Sequence, residues 1–303
     1  MLIDEIVNYA DTEYSAFGDR CGNGVCNHPS GQCSGSCYNC LYHIHYPGNA
    51  PLNSKTLYDC PKMLLHYVCQ YSYLYAKEII CAFIEEDDFI RNFPYFHVLS
   101  LGCGGCADLM ALEAYCDREQ IQTPISYFGI DVNPLWKSVH MKIQDYCQNH
   151  DIRFQTQYND VFDRFQERGI NDTSVIVISY LISYLYNTNQ IVQIDSLVHD
   201  IAERIINKKG DGHPLLLIIN DVNSNRRGRN YFAYFENAIS QAGLSIANKK
   251  YRYFDTGYLN DFQKVGEPYP EYCDFFDIPA DIQAHYHAQT GIQSTIQLLL
   301  EVI

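Results

Sequence analysis

Basic residues are scarce in this chain of 303 residues: 21 Lys and Arg stand against 36 Asp and Glu, for a net charge of −15. Broad nucleic-acid binding needs a basic footprint, so this balance argues against it. Long apolar runs are also missing. None approaches the roughly 18–20 residues that a membrane-spanning helix needs. The opening stretch MLIDEIVNYADTEYS holds four acids and no base, the wrong charge for a signal peptide. A soluble, cytoplasmic protein with no membrane partner is the expectation. Tryptophan occurs once, at Trp136, so the aromatic character rests on 26 Tyr and 15 Phe, which suit both core and binding surfaces.

Cysteine, by contrast, is plentiful. An odd count of 13 spread along the chain does not look like a secreted disulfide framework. Five of these residues, Cys21, Cys26, Cys33, Cys37 and Cys40, crowd into one short stretch. The surrounding residues 18–55 are rich in Gly, Asn, Ser and Pro and carry little helix or strand signal. Such a segment cannot build a core alone, but thiolates around a metal would order it. Cys37 and Cys40 make one tight pair, and Cys21 and Cys26, or Cys33, make the other. His28, His43, His45 and Cys60 are further donors. Structural zinc is the expected metal, an iron–sulfur cluster is the alternative, and unmetallated thiols are the third reading. The run CSGSCYNC is also similar to the cluster-binding motif of radical S-adenosylmethionine enzymes. Against that, no strand signal precedes Cys33, and Asn39 stands where that family often has an aromatic residue.

From about Asp59 to Glu86 the pattern is helical, because Met63, Leu64, Tyr67, Val68, Tyr71, Leu74 and Tyr75 recur at steps of three and four. After Pro94 short apolar runs alternate with helical stretches. Strands are expected at 97–102, 126–131, 152–157, 174–179 and 214–221, with helices at 106–117, 134–149, 188–208 and 229–242. Closing strands are expected at 244–254 and 294–303. This alternation predicts a doubly wound, mostly parallel α/β sheet of seven strands, preceded by a small cysteine-rich, helical module. The expected division is 1–94 for that module and its covering helix, and 95–303 for the sheet domain. Residues 255–292 are irregular and aromatic, with Tyr258, Phe262, Tyr269, Tyr272, Phe275 and Phe276, and are a candidate substrate lid.

Gly102, Gly104 and Gly105 follow the first expected strand and open a helix, and Asp131 ends the second strand. Glycines there let backbone approach a ligand, and an acid at the end of strand two accepts hydrogen bonds from ribose hydroxyls. VLSLGCGGCADLMAL followed by YFGIDVNPLW resembles motifs I and II of class I S-adenosylmethionine-dependent methyltransferases. The resemblance covers roughly 95–303, with its specific part at about 96–136. It implies that Gly102, Cys103 and Gly104 face the methionine part of the cofactor. Asp131, with Asn133 beside it, would hold the ribose, and Asp160 the adenine. Ser179 and Tyr180 would line the methyl-transfer pocket. The family often has an acid two residues before the first glycine; here Ser100 stands there, and Asp108 offers a compensating contact. Cys106 replaces the usual third glycine.

Methyl transfer from a sulfonium needs alignment and, for many acceptors, removal of a proton. The segment after strand four, SYLISYLY, lacks the Asn/Asp-Pro-Pro-Tyr run of amino-group DNA methyltransferases and the Pro-Cys of cytosine C5 enzymes. N-, O- or S-methylation of a small molecule, protein or RNA remains, with no catalytic residue assigned. Arg226, Arg227 and Arg229 follow strand five and are candidates for holding a phosphate or carboxylate of the substrate. A pyrophosphate-binding dehydrogenase and a non-catalytic binding protein on the same fold are the rival readings.

Overall fold

The computed structural model describes residues 1–18, 31–161, 173–206, 214–226, 228–254, 264–269, 275–288 and 295–303. The described elements begin with helices α1 (Leu2–Ala16), α2 (Cys37–His45), α3 (Pro61–Glu85) and α4 (Asp87–Ile90). Then come β1 (Phe96–Leu101), α5 (Ala107–Arg118), β2 (Ile125–Ile130), α6 (Lys137–Gln148) and β3 (Arg153–Gln157). β4 (Val175–Ser179), α7 (Leu181–Asn187), α8 (Ile191–Asp200), β5 (Leu215–Val222) and α9 (Phe232–Gln241) follow. The chain closes with β6 (Ile246–Tyr253), β7 (Glu267–Pro268), α10 (Ala280–Tyr286) and β8 (Thr295–Val302).

The strands form one sheet in the order β3-β2-β1-β4-β5-β8-β6-β7. β3, β2, β1, β4 and β5 are parallel, and β8 runs antiparallel between β5 and β6. This is the doubly wound, mostly parallel α/β sheet that the alternation predicts. It has eight strands rather than seven because the two-residue β7 pairs with the outer edge of β6.

Successive strand residues point to opposite faces. Val98, Val175, Val177, Leu216 and Ile218 enter one core with residues of α1, α3, α5 and α6. Leu99, Leu101, Ile176, Ile178, Leu217 and Ile219 enter the other with α7, α8 and α9. Burial on both faces is why these strands read as unbroken apolar runs. β3 lies at an edge, and its sequence RFQTQ is correspondingly polar.

Several local expectations differ from the structure. Residues 37–45 are helical, although the surrounding composition hides it. Cys37, Cys40, Leu41 and Ile44 form an i, i+3, i+4, i+7 stripe that packs with Met63 of α3. Ser36 Oγ caps this helix by accepting from the Asn39 amide at 3.1 Å. Within the helix expected at 188–208 the structure has α8 and a π-helical stretch at Ile201–Ile206, and α7 is a further helix that precedes it. In the aromatic stretch 255–292, Tyr258, Phe262 and Tyr272 lie outside the described residues. Tyr269 stacks on Phe254 at 4.0 Å, and Phe276 packs edge-on against Tyr73 at 6.1 Å. Among the described residues, no helix is long and apolar enough to cross a membrane.

Candidate functional site

Strand order reverses at β1, because the chain passes from β1 to β2 on one side and reaches β4 on the other. In open α/β sheets the crevice at such a point, beyond the carboxyl ends of the strands, takes the ligand. Residues 102–106 occupy it. Gly102 and Gly104 have φ of 70° and 48°, a left-handed backbone that favours residues without Cβ. The amides of Gly102 and Cys103 donate to the Ile130 carbonyl at 2.8 and 3.1 Å. The Cys106 amide donates to the Cys103 carbonyl at 2.7 Å and closes a tight turn into α5.

Asp131 meets this loop. Its Oδ2 accepts from the Gly104 amide at 2.9 Å and its Oδ1 from the Asn133 amide at 2.8 Å. Burial raises the pKa of this carboxyl, while the two amides pull it back. Asn133 itself is turned to structural work. Its Nδ2 donates to the Tyr58 carbonyl at 2.7 Å, and its Oδ1 accepts from the Leu135 amide at 3.1 Å.

A cavity beside the loop is lined by Gly102, Cys103, Gly104, Asp108, Ser179 and Tyr180, together with Ser100 of β1 and Tyr67 and Tyr75 of α3. Asp160 is half-buried beyond β3 and does not line it. Asp108 Oδ1 accepts from Tyr127 Oη at 2.9 Å and from the Leu109 amide at 3.0 Å. Its Oδ2 is buried with no hydrogen-bond partner. Burial pushes this carboxyl up to about 6.

Glu78 of α3 is a functional candidate that sequence reasoning missed. It is buried over the ends of β4, β5 and β8. Its carboxylate accepts from Tyr180 Oη at 2.8 Å, Asn220 Nδ2 at 2.8 Å and Thr295 Oγ1 at 2.9 Å. Burial raises its pKa to about 7, against the lowering effect of those three donors. A signal existed: Glu78 follows Tyr71 and Tyr75 at helical spacing, so a carboxylate sits on the apolar stripe. His140, also missed, donates from Nε2 to the Gly104 carbonyl at 2.7 Å and shares a hydrogen bond between Nδ1 and Tyr158 Oη at 2.9 Å.

In the front segment, Cys33 and Cys40 bring their sulfurs to 4.0 Å, and Ser34 Oγ lies 3.3 Å from Cys40 Sγ. Cys37 is buried in the same cluster with Cys60. Cys21, Cys26 and His28 lie outside the described residues. His45 bonds to Tyr58 Oη at 2.8 Å, and burial lowers its pKa to about 4, so it is neutral. After β5, Arg229 is buried and donates to Asn223 Oδ1, Arg226 is exposed, and Arg227 lies outside the described residues.

The polar groups at the crevice suit S-adenosylmethionine. Asp131 retains acceptor capacity for a diol, and the unpartnered Asp108 Oδ2 suits an ammonium. The space does not yet suit it. The cavity holds about 50 Å³, well under the roughly 300–1,000 Å³ of ordinary small-molecule sites. The α3 tyrosines fill the remainder, with Tyr75 lying 4.6 Å from the Tyr180 ring.

No family model and no curated protein matches the chain. Solved structures do. A magnesium protoporphyrin IX methyltransferase from Synechocystis PCC 6803 with bound SAM aligns at 11% identity over 88% of this chain and 97% of that one, with a TM-score of 0.41. An S-adenosylmethionine-dependent methyltransferase from Clostridium acetobutylicum ATCC 824 aligns at 13% identity over 88% of this chain and 99% of that one, with a TM-score of 0.41. The cyclase SpnF aligns at 10% identity over 98% of this chain and 92% of that one, with a TM-score of 0.39. These likenesses concern the fold, and the functional argument rests on this chain's own residues.

Proposed function

We propose that this chain transfers a methyl group from S-adenosylmethionine to an N, O or S atom of a small molecule, protein or RNA. The observation that carries this reading is the bond from the Gly104 amide to Asp131 Oδ2, which joins the glycine turn and the strand-two acid at the switch point. Asp131 would hold the ribose, and Asp108 Oδ2 would take the amino group of the methionine end. The cofactor supplies an electrophilic methyl on a sulfonium. Tyr180, which lines the cavity, donates its hydroxyl hydrogen bond to Glu78, so this pair is the candidate proton acceptor, with Glu78 as the base. Tyr67 and Tyr75 exclude water from the crevice and must shift to admit the cofactor.

Calorimetric titration with S-adenosylmethionine and S-adenosylhomocysteine tests this reading. Micromolar binding supports it. The filled crevice favours a second reading, a binding protein that keeps the fold without the cofactor, and absence of binding to either compound would select that one. For the front segment we propose a structural zinc held by Cys33, Cys37 and Cys40 with Cys21 or Cys26. Cys37→Ser is expected to lower both metal content and thermal stability.

A further inference from the structure

Cys103 lines the crevice, and Cys106 and His140 have no part in the reading above. One ligand atom from each lies within 4.8 Å of those of the other two, and all three residues are buried. Among the described residues, no other group of three His, Cys, Asp or Glu side chains converges in this way. Three elements bring them together. Cys103 lies in the turn after β1, Cys106 is the N-cap of α5, and His140 sits on α6.

Two features argue against plain core packing. Cys106 has φ of 59°, a left-handed backbone that is strained for a residue with Cβ. Glycine would occupy that position without strain, yet the chain places a thiol there. Gly129 of β2 supplies the second. A Cβ on it would lie 2.8 Å from Cys103 Sγ, so the missing side chain is what leaves room for this sulfur.

We propose that Cys103, Cys106 and His140 form a zinc site at the root of the glycine turn. Two thiolates and one imidazole are ligands that zinc takes readily, and three protein ligands leave one of four tetrahedral positions for water or another donor. The CGGC spacing suits this use, since the bond from the Cys106 amide to the Cys103 carbonyl folds the two cysteines into one turn. The two ring nitrogens of His140 already face Tyr158 Oη and the Gly104 carbonyl. Whichever nitrogen takes the metal, the other keeps an oxygen partner that orients the ring. On binding, the cysteines enter as thiolates and any thiol protons leave to solvent, while neutral imidazole contributes a lone pair. The metal would hold the turn whose Gly104 amide bonds to Asp131. The site is separate from the front segment, and it does not depend on the methyl-transfer reading.

The test starts from the variant Cys33→Ser/Cys37→Ser/Cys40→Ser, which disables the front segment and leaves this site intact. Prepared under reducing conditions and loaded with zinc, it is expected to hold about one metal per chain. Its zinc X-ray absorption is expected to show two sulfur and one imidazole nitrogen neighbours. Cobalt substitution is expected to give thiolate charge-transfer bands and tetrahedral d–d bands. Adding His140→Gln removes a ligand and is expected to weaken metal affinity by at least the roughly ten- to a hundred-fold that loss of a ligand's outer partner costs, while circular dichroism stays unchanged. A folded triple variant that binds no metal would overturn the proposal, as would an all-sulfur zinc shell or a Cys103–Cys106 disulfide in reduced preparations. If the triple variant does not fold, the same spectra are taken on wild-type protein and on His140→Gln. An imidazole shell that disappears in the variant supports the site, and identical spectra refute it.

Discussion

The backbone amide of Gly104 donates to Asp131 Oδ2 over 2.9 Å, so the turn after β1 is tied to the acid that ends β2. The other oxygen of the same carboxylate holds the Asn133 amide at 2.8 Å. One side chain therefore fixes both loops that border the crevice. Replacing it by alanine leaves two amides without their acceptor. Asp131→Ala is expected to lower S-adenosylmethionine affinity by roughly ten- to a hundred-fold, because hydrogen bonds to a charged group contribute about 1.5–3 kcal/mol. Calorimetry measures this, and an unchanged affinity removes the ribose role from Asp131.

Tyr75 occupies space that the proposed cofactor would need. Its ring lies 4.6 Å from that of Tyr180 and borders the cavity. Tyr75→Ala is expected to lower thermal stability, by less than the roughly 3–5 kcal/mol that truncating a fully buried aromatic costs, because Tyr75 is half-buried. The same change is expected to raise cofactor affinity several-fold, because the ring no longer has to be displaced. Weaker binding by a folded Tyr75→Ala protein would instead make the ring part of the cofactor's own surface.

Glu78 gives a pH signature. Burial raises its carboxyl to about 7 from an ordinary 4.5. The folded state therefore binds this proton more tightly than the unfolded state does. Its contribution to stability is complete below pH 4.5 and is lost as pH rises through about 7. Glu78→Gln has no proton to lose. Its stability relative to wild type is expected to rise across this window, by an amount on the order of 3 kcal/mol. Denaturant unfolding of both proteins at pH 5 and pH 8 checks the sign. A difference independent of pH would mean that Glu78 keeps an ordinary pKa.

Gly102 and Gly105 are neighbours with different tolerances. Gly102 has φ of 70°, and a Cβ there would meet Leu181 Cδ1 at 3.2 Å. Gly102→Ala is expected to cost at least about 1 kcal/mol in unfolding free energy. At Gly105 a Cβ would make ordinary contacts, at 3.5 Å to Val68 and 3.7 Å to Trp136. Gly105→Ala is expected to be near neutral in the same measurement. Equal costs would show that the turn is not held in the left-handed form.

The strands near 97–102, 174–179 and 214–221 are legible because burial on both faces leaves only apolar residues to choose from. Gly102 and Asp131 are legible because a tight turn and a strand-ending acid each leave a local mark. α2 is less so, since its stripe of Cys37, Cys40, Leu41 and Ile44 lies within a run of Gly, Ser and Pro. What the sequence determined by itself is thus the alternation of elements, the sheet class and the position of the turn at its switch point. The tertiary structure alone decided that α3 crosses the strand ends, which sets Tyr75 on Tyr180 and brings Glu78 to Asn220 and Thr295. It also decided that α6 brings His140 to Cys103 and Cys106. These partners are separated by tens to hundreds of residues, and local periodicity records which face of a helix is buried but not which strand end that face will meet.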